Sequence, residues 1–306
     1  MNKEPLISIL MNCFNGELYL KDSLNSVLSQ SYKNWELIFW DNKSTDDSLK
    51  IILDYQDERI KVFESNLHTN LGSARKNAFE KVKGEYLTFL DVDDLWEKDK
   101  LKNQIRIFDD KEVGISFSNS LYFSSKRKDE LYKPNCNFKV NTESLISKYI
   151  ISLESIMLDV KKIKSLDYSF DENFNHISDF DLIIRLSSIS KVKYLDQVLS
   201  RWRIHFNNES FKRKDLFNKE IEQWCNFHIR NNYLRNYIKQ IKELKIMTQA
   251  KNRILKYEFD FSTFKKVIFS KMSTFRNKLF VFMSFIPYIP KLFFLIDSFL
   301  FKLKWY

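Results

Sequence analysis

The first hundred residues alternate between short apolar runs and segments of helical periodicity, and this rhythm restricts the folds that the chain can adopt. Apolar runs of strand length lie at 6–12, 35–41, 60–65 and 85–91. Between them, apolar residues recur three and four positions apart, as on amphipathic helices. The repeat predicts parallel βαβ units with right-handed crossovers. We therefore expect an α/β fold, a Rossmann-like and mostly parallel sheet flanked by helices.

Polar residues stand where three of these predicted strands end. They are Asn12, Asp41 and Asp91. In doubly wound sheets, ligands bind just beyond the carboxyl ends of the strands, which all meet at one edge. The positions of these three residues therefore predict a ligand site at that edge.

An acidic cluster follows the fourth apolar run, with Asp91, Asp93 and Asp94 in the stretch "FLDVDDLW". Carboxylate oxygens suit hard divalent cations such as Mg²⁺ or Mn²⁺. In such a D-x-D pattern one carboxylate can bind the metal while the other reaches a metal-bound water or a ribose hydroxyl. Alternatively, Asp93 and Asp94 cap a helix that begins near Trp96. The stretch alone leaves both interpretations open.

Three segments, in order, resemble the family 2 glycosyltransferases of the GT-A fold. They are "ISILMNCFNGELYLKDSLNSVLSQSY", "IFWDNKSTDDS" and "LGSARKNAFEKVKGEYLTFLDVDDLW", which together cover roughly the first hundred residues. The resemblance implies transfer of a sugar from a nucleotide-diphosphate sugar, with a UDP-sugar favoured, to a glycan or lipid-linked acceptor. It also implies Mn²⁺ or Mg²⁺ as cofactor and a role in bacterial surface polysaccharide synthesis, such as lipopolysaccharide or capsule.

The resemblance also implies roles for individual residues. Asp93 would bind the metal, and Asp91 would lie near both the ribose and the metal. The sequence departs from the family at Asn42, where a second Asp is common, and at Phe14, where Tyr is common. Phenylalanine lacks the hydroxyl but keeps the stacking face. The residues implied to contact the nucleotide are Asn12, Phe14, Asp41, Arg75 and Asp91.

A later segment, "ISDFDLIIRLS", resembles the part of the family that carries the catalytic base. Ser178 replaces the first acid of the family pattern, and Asp179 falls on the base position. The resemblance implies that Asp179 deprotonates the acceptor and that transfer inverts the anomeric centre. The alternative is that Asp179 caps a helix. We predict a structural role for Asp181, which would pair with Arg185 four residues later.

The segment "LSRWRIHFNNES" resembles a family element that closes over the diphosphate. It implies that His205 binds metal or phosphate and that Arg201 or Arg203 neutralises phosphate. Trp96 is predicted to pack near the sugar or acceptor. The competing interpretations are surface positions for these basic residues and a core position for the tryptophan.

We expect three regions: a catalytic domain over 1–212, a helical extension over 213–261 and a tail over 262–306. The whole chain has a net charge of +10, and from Lys251 to Tyr306 there are 11 basic residues against three acids. The longest uncharged tail run, Leu279 to Pro290, is too short to span a bilayer.

The basic and aromatic tail is therefore predicted to lie on an anionic membrane surface as interfacial helices. The alternative is a helical hairpin that packs on the catalytic domain or on a dimer partner. Dense aromatic residues and few basic ones do not suit nucleic acid. The short N-terminal apolar run predicts no signal peptide, and the three cysteines lack metal-site spacing. We expect a cytoplasmic protein, peripheral on the inner face of the cell membrane.

Two other functions stay open on the sequence. A sugar-phosphate nucleotidyltransferase would ordinarily carry a glycine-rich, basic phosphate loop after its first strand, and "NCFNGELY" has none. A non-catalytic module that binds glycans or membranes would not need the acidic cluster.

Overall fold

The computed structural model describes residues 4–133, 138, 140–208 and 213–255. The chain divides into two compact units, the first formed by 1–141 with 150–204 and the second by 142–149 with 205–306. The boundaries expected at 212 and 261 stay predictions, and the tail lies outside the described residues.

One mixed sheet contains the strands of the described residues, in the order β3-β2-β1-β4-β8-β6-β9-β5, with β7 paired to β6. The strands are β1 (Ile7–Cys13), β2 (Trp35–Asp41), β3 (Ile60–Glu64), β4 (Tyr86–Phe89), β5 (Leu95–Trp96), β6 (Val113–Phe123), β7 (Lys128–Glu130), β8 (Ile156–Asp159) and β9 (Lys191–Arg203).

Helices flank the sheet in the first unit and make up most of the described part of the second unit. They are α1 (Glu17–Leu28), α2 (Ser48–Leu53), α3 (Leu71–Phe79), α4 (Lys100–Ile105), α5 (Thr142–Ser147), α6 (Val160–Lys164), α7 (Ser178–Ser187), α8 (Lys214–Asn231) and α9 (Ile238–Leu255). Short 3-10 turns occupy Arg106–Asp109, Leu153–Ser155 and Arg235–Tyr237. The second unit, as far as the structure describes it, contains α5, α8 and α9.

The first four strands confirm the predicted parallel core. β1 pairs in parallel with β2 on one side and with β4 on the other, while β2 also pairs with β3. All seven residues of β2 are buried, as expected for a strand covered on both faces. α1 packs Leu20, Leu24 and Val27 into the same core. The carboxyl ends of these strands therefore meet at one edge.

The structure corrects two local predictions. Leu95 and Trp96 form a strand paired with Ser200 and Arg201 of β9, and the next helix begins only at Lys100. The proposed helix near Trp96, and its caps Asp93 and Asp94, are therefore wrong. Long-range pairing with β9 has replaced the local helix.

The second correction concerns the segment "LGSARKNAFEKVKG", whose helical spacing predicts a helix that ends at Gly84 as its C′ residue. The helix, α3, ends at Phe79. Gly84 instead lets the chain pass β1 closely. A Cβ there would lie 2.6 Å from Ser8 N and 2.7 Å from Leu6 O. Glycine at this position is explained by this close backbone approach and not by a helix cap.

Gly72, in the first turn of α3, provides a stability prediction. A Cβ at this position would overlap the carbonyl oxygens of Asp171 and Phe174. We expect Gly72→Ala to lower the free energy of unfolding by about 1–3 kcal/mol, because backbone atoms must move. Chemical denaturation measures this, with Ser73→Ala as control. Equal stability of the two variants would contradict the prediction.

Candidate active site

Buried polar atoms with unsatisfied hydrogen-bonding capacity lie at the ends of β1 and β2. Cys13 is the register partner of Asp41, so the two strand ends lie side by side. Asp41 is 3% exposed, and its Oδ2 accepts the Ser44 N–H at 3.0 Å. Its Oδ1 and both amide atoms of Asn12 are buried without a hydrogen-bond partner in the described part of the chain. Such groups are costly unless a ligand satisfies them. The two residues therefore form the polar floor of a binding site.

An aromatic wall stands beside this floor. The Phe14 side chain is 48% exposed, and its ring centroid lies 4.1 Å from that of His68. Asn42 holds the His68 loop by donating from Nδ2 to Thr69 O at 2.7 Å and accepting the Thr69 N–H on Oδ1 at 3.2 Å. An aspartate could not donate the first of these bonds, which gives the departure at Asn42 a structural reason. Sequence reasoning missed His68, because only the fold places "NLHTN" beside Phe14.

The acidic loop after β4 concentrates negative charge in a desolvated place. Desolvation raises the pKa of Asp91 to about 7. The Arg75 cation opposes this rise, whereas Asp93, Glu154 and Asp179 add to it by repulsion. A proton or a cation is therefore needed here to balance the carboxylates.

Asp94 holds the loop in place rather than facing a ligand. It is buried, its Oδ1 accepts the Arg203 N–H at 2.9 Å, and its carbonyl accepts from Ser23 Oγ at 2.6 Å. Desolvation, with repulsion from Asp93 and Glu154, raises its pKa well above the usual range. Asp94 therefore ties the loop to β9 and α1.

The two arginines of β9 also contact this region. Arg203 donates from Nε to Asp93 O at 2.9 Å and from Nη2 to Asp22 at 3.0 Å. Arg201 pairs with Glu97. Both guanidinium groups thus have protein partners, and their predicted contact with phosphate stays a prediction.

The predicted base lies at the start of α7. Asp179 occupies the first turn, and its Oδ1 accepts from Arg75 Nη1 at 3.4 Å. The N-cap position belongs to Ile177, so Asp179 is not the helix cap. The predicted pair of Asp181 with Arg185 is confirmed, with Oδ2 2.6 Å from Nη2 and both side chains fully buried. The fold thus brings Asp179 and Arg75 to Asp91, although 88 sequence positions separate Asp91 from Asp179.

A buried polar network lies under the acidic loop, and sequence reasoning missed it. Trp96 is 4% exposed and donates from Nε1 to Glu154 O at 2.9 Å. Lys100 Nζ lies 4.3 Å from the Trp96 ring and donates to Thr88 Oγ1 at 2.9 Å. Glu154 Oε1 accepts from Ser120 Oγ at 2.6 Å. This burial favours core packing of Trp96 over contact with an acceptor.

His205 belongs to the second unit, where its backbone N–H donates to Asn208 Oδ1 at 2.7 Å. Its metal role stays a prediction. Within the described ranges, no three His, Cys, Asp or Glu side chains converge as a metal cluster. Asp91 and Asp93 nevertheless fit Mg²⁺ or Mn²⁺, because such ions commonly bind one or two carboxylates and take other ligands from water and substrate phosphates. None of the described helices has the length and apolar character needed to cross a bilayer.

Comparison with known proteins adds relatives of defined class. Residues 8–158 match Glycosyl transferase family 2. An uncharacterized glycosyltransferase of Haemophilus influenzae is 36% identical over 181 residues, which cover 54% of this chain and 70% of the relative. The match to Bacillus subtilis TuaG, named for teichuronic acid biosynthesis, is 38% identical over 38% of this chain. It spans 47% of the relative.

A longer match is to Escherichia coli WfgD, named a UDP-Glc:alpha-D-GlcNAc-diphosphoundecaprenol beta-1,3-glucosyltransferase. It is 26% identical over 85% of this chain and 98% of the relative. Among solved structures, S. aureus TarS in complex with UDP-GlcNAc has a TM-score of 0.65 at 16% identity, covering 91% of this chain and 86% of TarS. The Pyrobaculum calidifontis mannosyltransferase in complex with GDP-Man and Mn²⁺ has a TM-score of 0.58 at 13% identity, covering 92% and 85%.

The structural likeness confirms the expected GT-A fold. The family match begins inside β1 and ends inside β8, so it contains the strand ends that carry Asn12, Asp41 and Asp91. Together with the Haemophilus relative, this shows that the chain belongs to glycosyl transferase family 2.

Proposed function

We propose that this protein is an inverting, metal-dependent glycosyltransferase that moves a sugar from a nucleotide-diphosphate sugar to a lipid-linked or glycan acceptor of bacterial surface polysaccharide. The observation that carries the proposal is the set of unsatisfied polar atoms of Asn12 and Asp41 at the same sheet edge as the charged group Asp91, Arg75 and Asp179. The names of WfgD and TuaG support the acceptor class.

In this mechanism the strand ends bind the nucleotide. Asp41 Oδ1 accepts an N–H of the base, and the Asn12 amide offers a donor and an acceptor beside it. The exposed ring of Phe14 stacks on the base. Asp93 and Asp91 would hold Mn²⁺ or Mg²⁺, which would supply positive charge near the departing diphosphate.

Asp179 performs the proton transfer. Its carboxylate takes the proton of the acceptor hydroxyl, whose oxygen then forms a bond to the anomeric carbon. The bond from that carbon to the diphosphate oxygen breaks, and the nucleoside diphosphate leaves with the electron pair. Attack on the face opposite the leaving group inverts the anomeric centre.

Thermal stabilisation tests donor binding. At a concentration 100 times its Kd, UDP with Mn²⁺ should stabilise the protein by about 2.7 kcal/mol, a rise in Tm of about 5 °C. Chelation of the metal or Asp93→Asn should remove most of this rise in Tm. Without a bound cation, the negative charges of the diphosphate and of the acidic loop repel each other. GDP is tested in parallel. If neither nucleotide raises Tm with Mn²⁺ present, the proposal fails.

We also propose that residues 262–306 hold the protein on the inner face of the cell membrane. The basic residues there should each contribute about 1 kcal/mol on an anionic surface. Changing Lys265, Lys266, Lys271 and Lys278 to Gln should weaken binding to vesicles containing phosphatidylserine by about 100-fold or more. Vesicle flotation measures this, with neutral phosphatidylcholine vesicles as control. Unchanged binding would contradict the membrane role.

A further inference from the structure

Helix α3 is tied to the segment that leads into α7. Asn70 donates from Nδ2 to Glu172 O at 2.6 Å, and the Leu71 N–H donates to Asn175 Oδ1 at 2.7 Å. Lys76 Nζ pairs with Glu172 Oε2 at 2.8 Å. These contacts join residues about a hundred positions apart. The start of α7, and with it Asp179, is therefore placed by α3.

Arg75 is the buried part of this connection. Its side chain is almost fully covered, and Nη1 donates to Ser178 Oγ at 2.8 Å as well as to Asp179 Oδ1 at 3.4 Å. Ser178 is itself fully buried. The same guanidinium acts on Asp91 by lowering its pKa against desolvation. One cation thus serves two carboxylates, and little of it is exposed to a ligand.

Ser178 explains how this cation reaches the base. The family pattern has an acid at this position, and an acid so close would compete for the guanidinium. A neutral hydroxyl accepts one hydrogen bond and leaves the positive charge to Asp179. Serine at position 178, in place of the family's acid, therefore allows Arg75 to pair with Asp179.

We propose that Arg75 is a positioning residue for Asp179: it orients the carboxylate for proton transfer and does not bind the donor nucleotide. The inference rests on the proposed role of Asp179 as base. It replaces the nucleotide contact that the family resemblance implies for Arg75.

Kinetics of matched variants test this inference. Arg75→Met should lower kcat by about 100-fold while the Kd for UDP at saturating Mn²⁺ changes less than about threefold, because Asp179 loses the donor that orients it and the nucleotide loses no direct contact. Arg75→Lys keeps the charge but loses the paired guanidinium donors, so its kcat should lie between those of wild type and Arg75→Met. Ser178→Ala should lower kcat by about 10-fold with the UDP Kd unchanged.

The control removes an arginine from an ion pair outside the site. Arg127 pairs with Asp129 at 2.8 Å on the surface, and Arg127→Met should leave both kcat and the UDP Kd unchanged. If Arg75→Met instead weakens UDP binding more than about 10-fold with kcat nearly intact, Arg75 is a nucleotide ligand and the inference fails.

Amide hydrogen exchange separates this inference from the proposed function. Exchange at residues 177–181 should be about 10-fold faster in Arg75→Met than in Arg127→Met, because the start of α7 loses its buried partner. Equal exchange would overturn the inference even if no donor sugar were found. A wild-type protein that transfers no sugar from any UDP-sugar or GDP-sugar would instead refute the proposed function. If Arg75→Met does not fold, the same measurements are made on Arg75→Lys and Ser178→Ala.

Discussion

Asp179→Asn is expected to lower kcat for sugar transfer by about 10³-fold, within the range that a general base contributes. Asparagine has nearly the same size and can still accept the hydrogen bond from Arg75. It cannot take a proton from the acceptor hydroxyl. Initial rates of transfer measure kcat, and calorimetric titration with UDP and Mn²⁺ should give a Kd within about twofold of wild type.

A matched control is Asp215→Asn, which neutralises an exposed aspartate in the first turn of α8. Its kcat should equal that of wild type. If Asp179→Asn retained wild-type kcat, the proton would have to leave through another group, and the assignment of the base would be refuted.

The second large effect concerns stability. Asp181→Ala should lower the free energy of unfolding by about 3–5 kcal/mol, because it leaves a fully buried guanidinium without its carboxylate. Arg185 also donates to the carbonyls of Tyr168 and Ser169 at 2.6 Å, so it cannot easily turn to solvent. Urea denaturation followed by circular dichroism measures the change.

A double variant isolates the cause. Removing both charges with Asp181→Leu and Arg185→Leu eliminates the unpaired ion, so this variant should be more stable than Asp181→Ala alone. The control Lys191→Ala breaks a surface pair with Glu112 and should change stability by less than about 1 kcal/mol. A small effect of Asp181→Ala would show that Arg185 finds another anion.

The long elements of the first unit could be predicted from local pattern. The predicted second strand, 35–41, coincides with β2, and the pair Asp181–Arg185 follows from helical spacing alone. The errors lie where distant segments meet. Trp96 became a strand residue because β9, about a hundred positions later, offers pairing that a local helix signal cannot anticipate.

The same distinction between local pattern and long-range contact applies to the candidate active site. Residue types at strand ends, and the order of the matching segments, were enough to select Asn12, Asp41 and the acidic loop as candidates, because parallel strands carry their carboxyl ends to one edge. Which of the site residues contact one another could be seen only in the folded chain. Arg75 meets Asp179 across 104 positions, and His68 meets Phe14, through contacts that no short-range periodicity encodes. Local sequence sets which segments become strands and helices, whereas the charge balance of the site depends on packing between segments far apart in the chain.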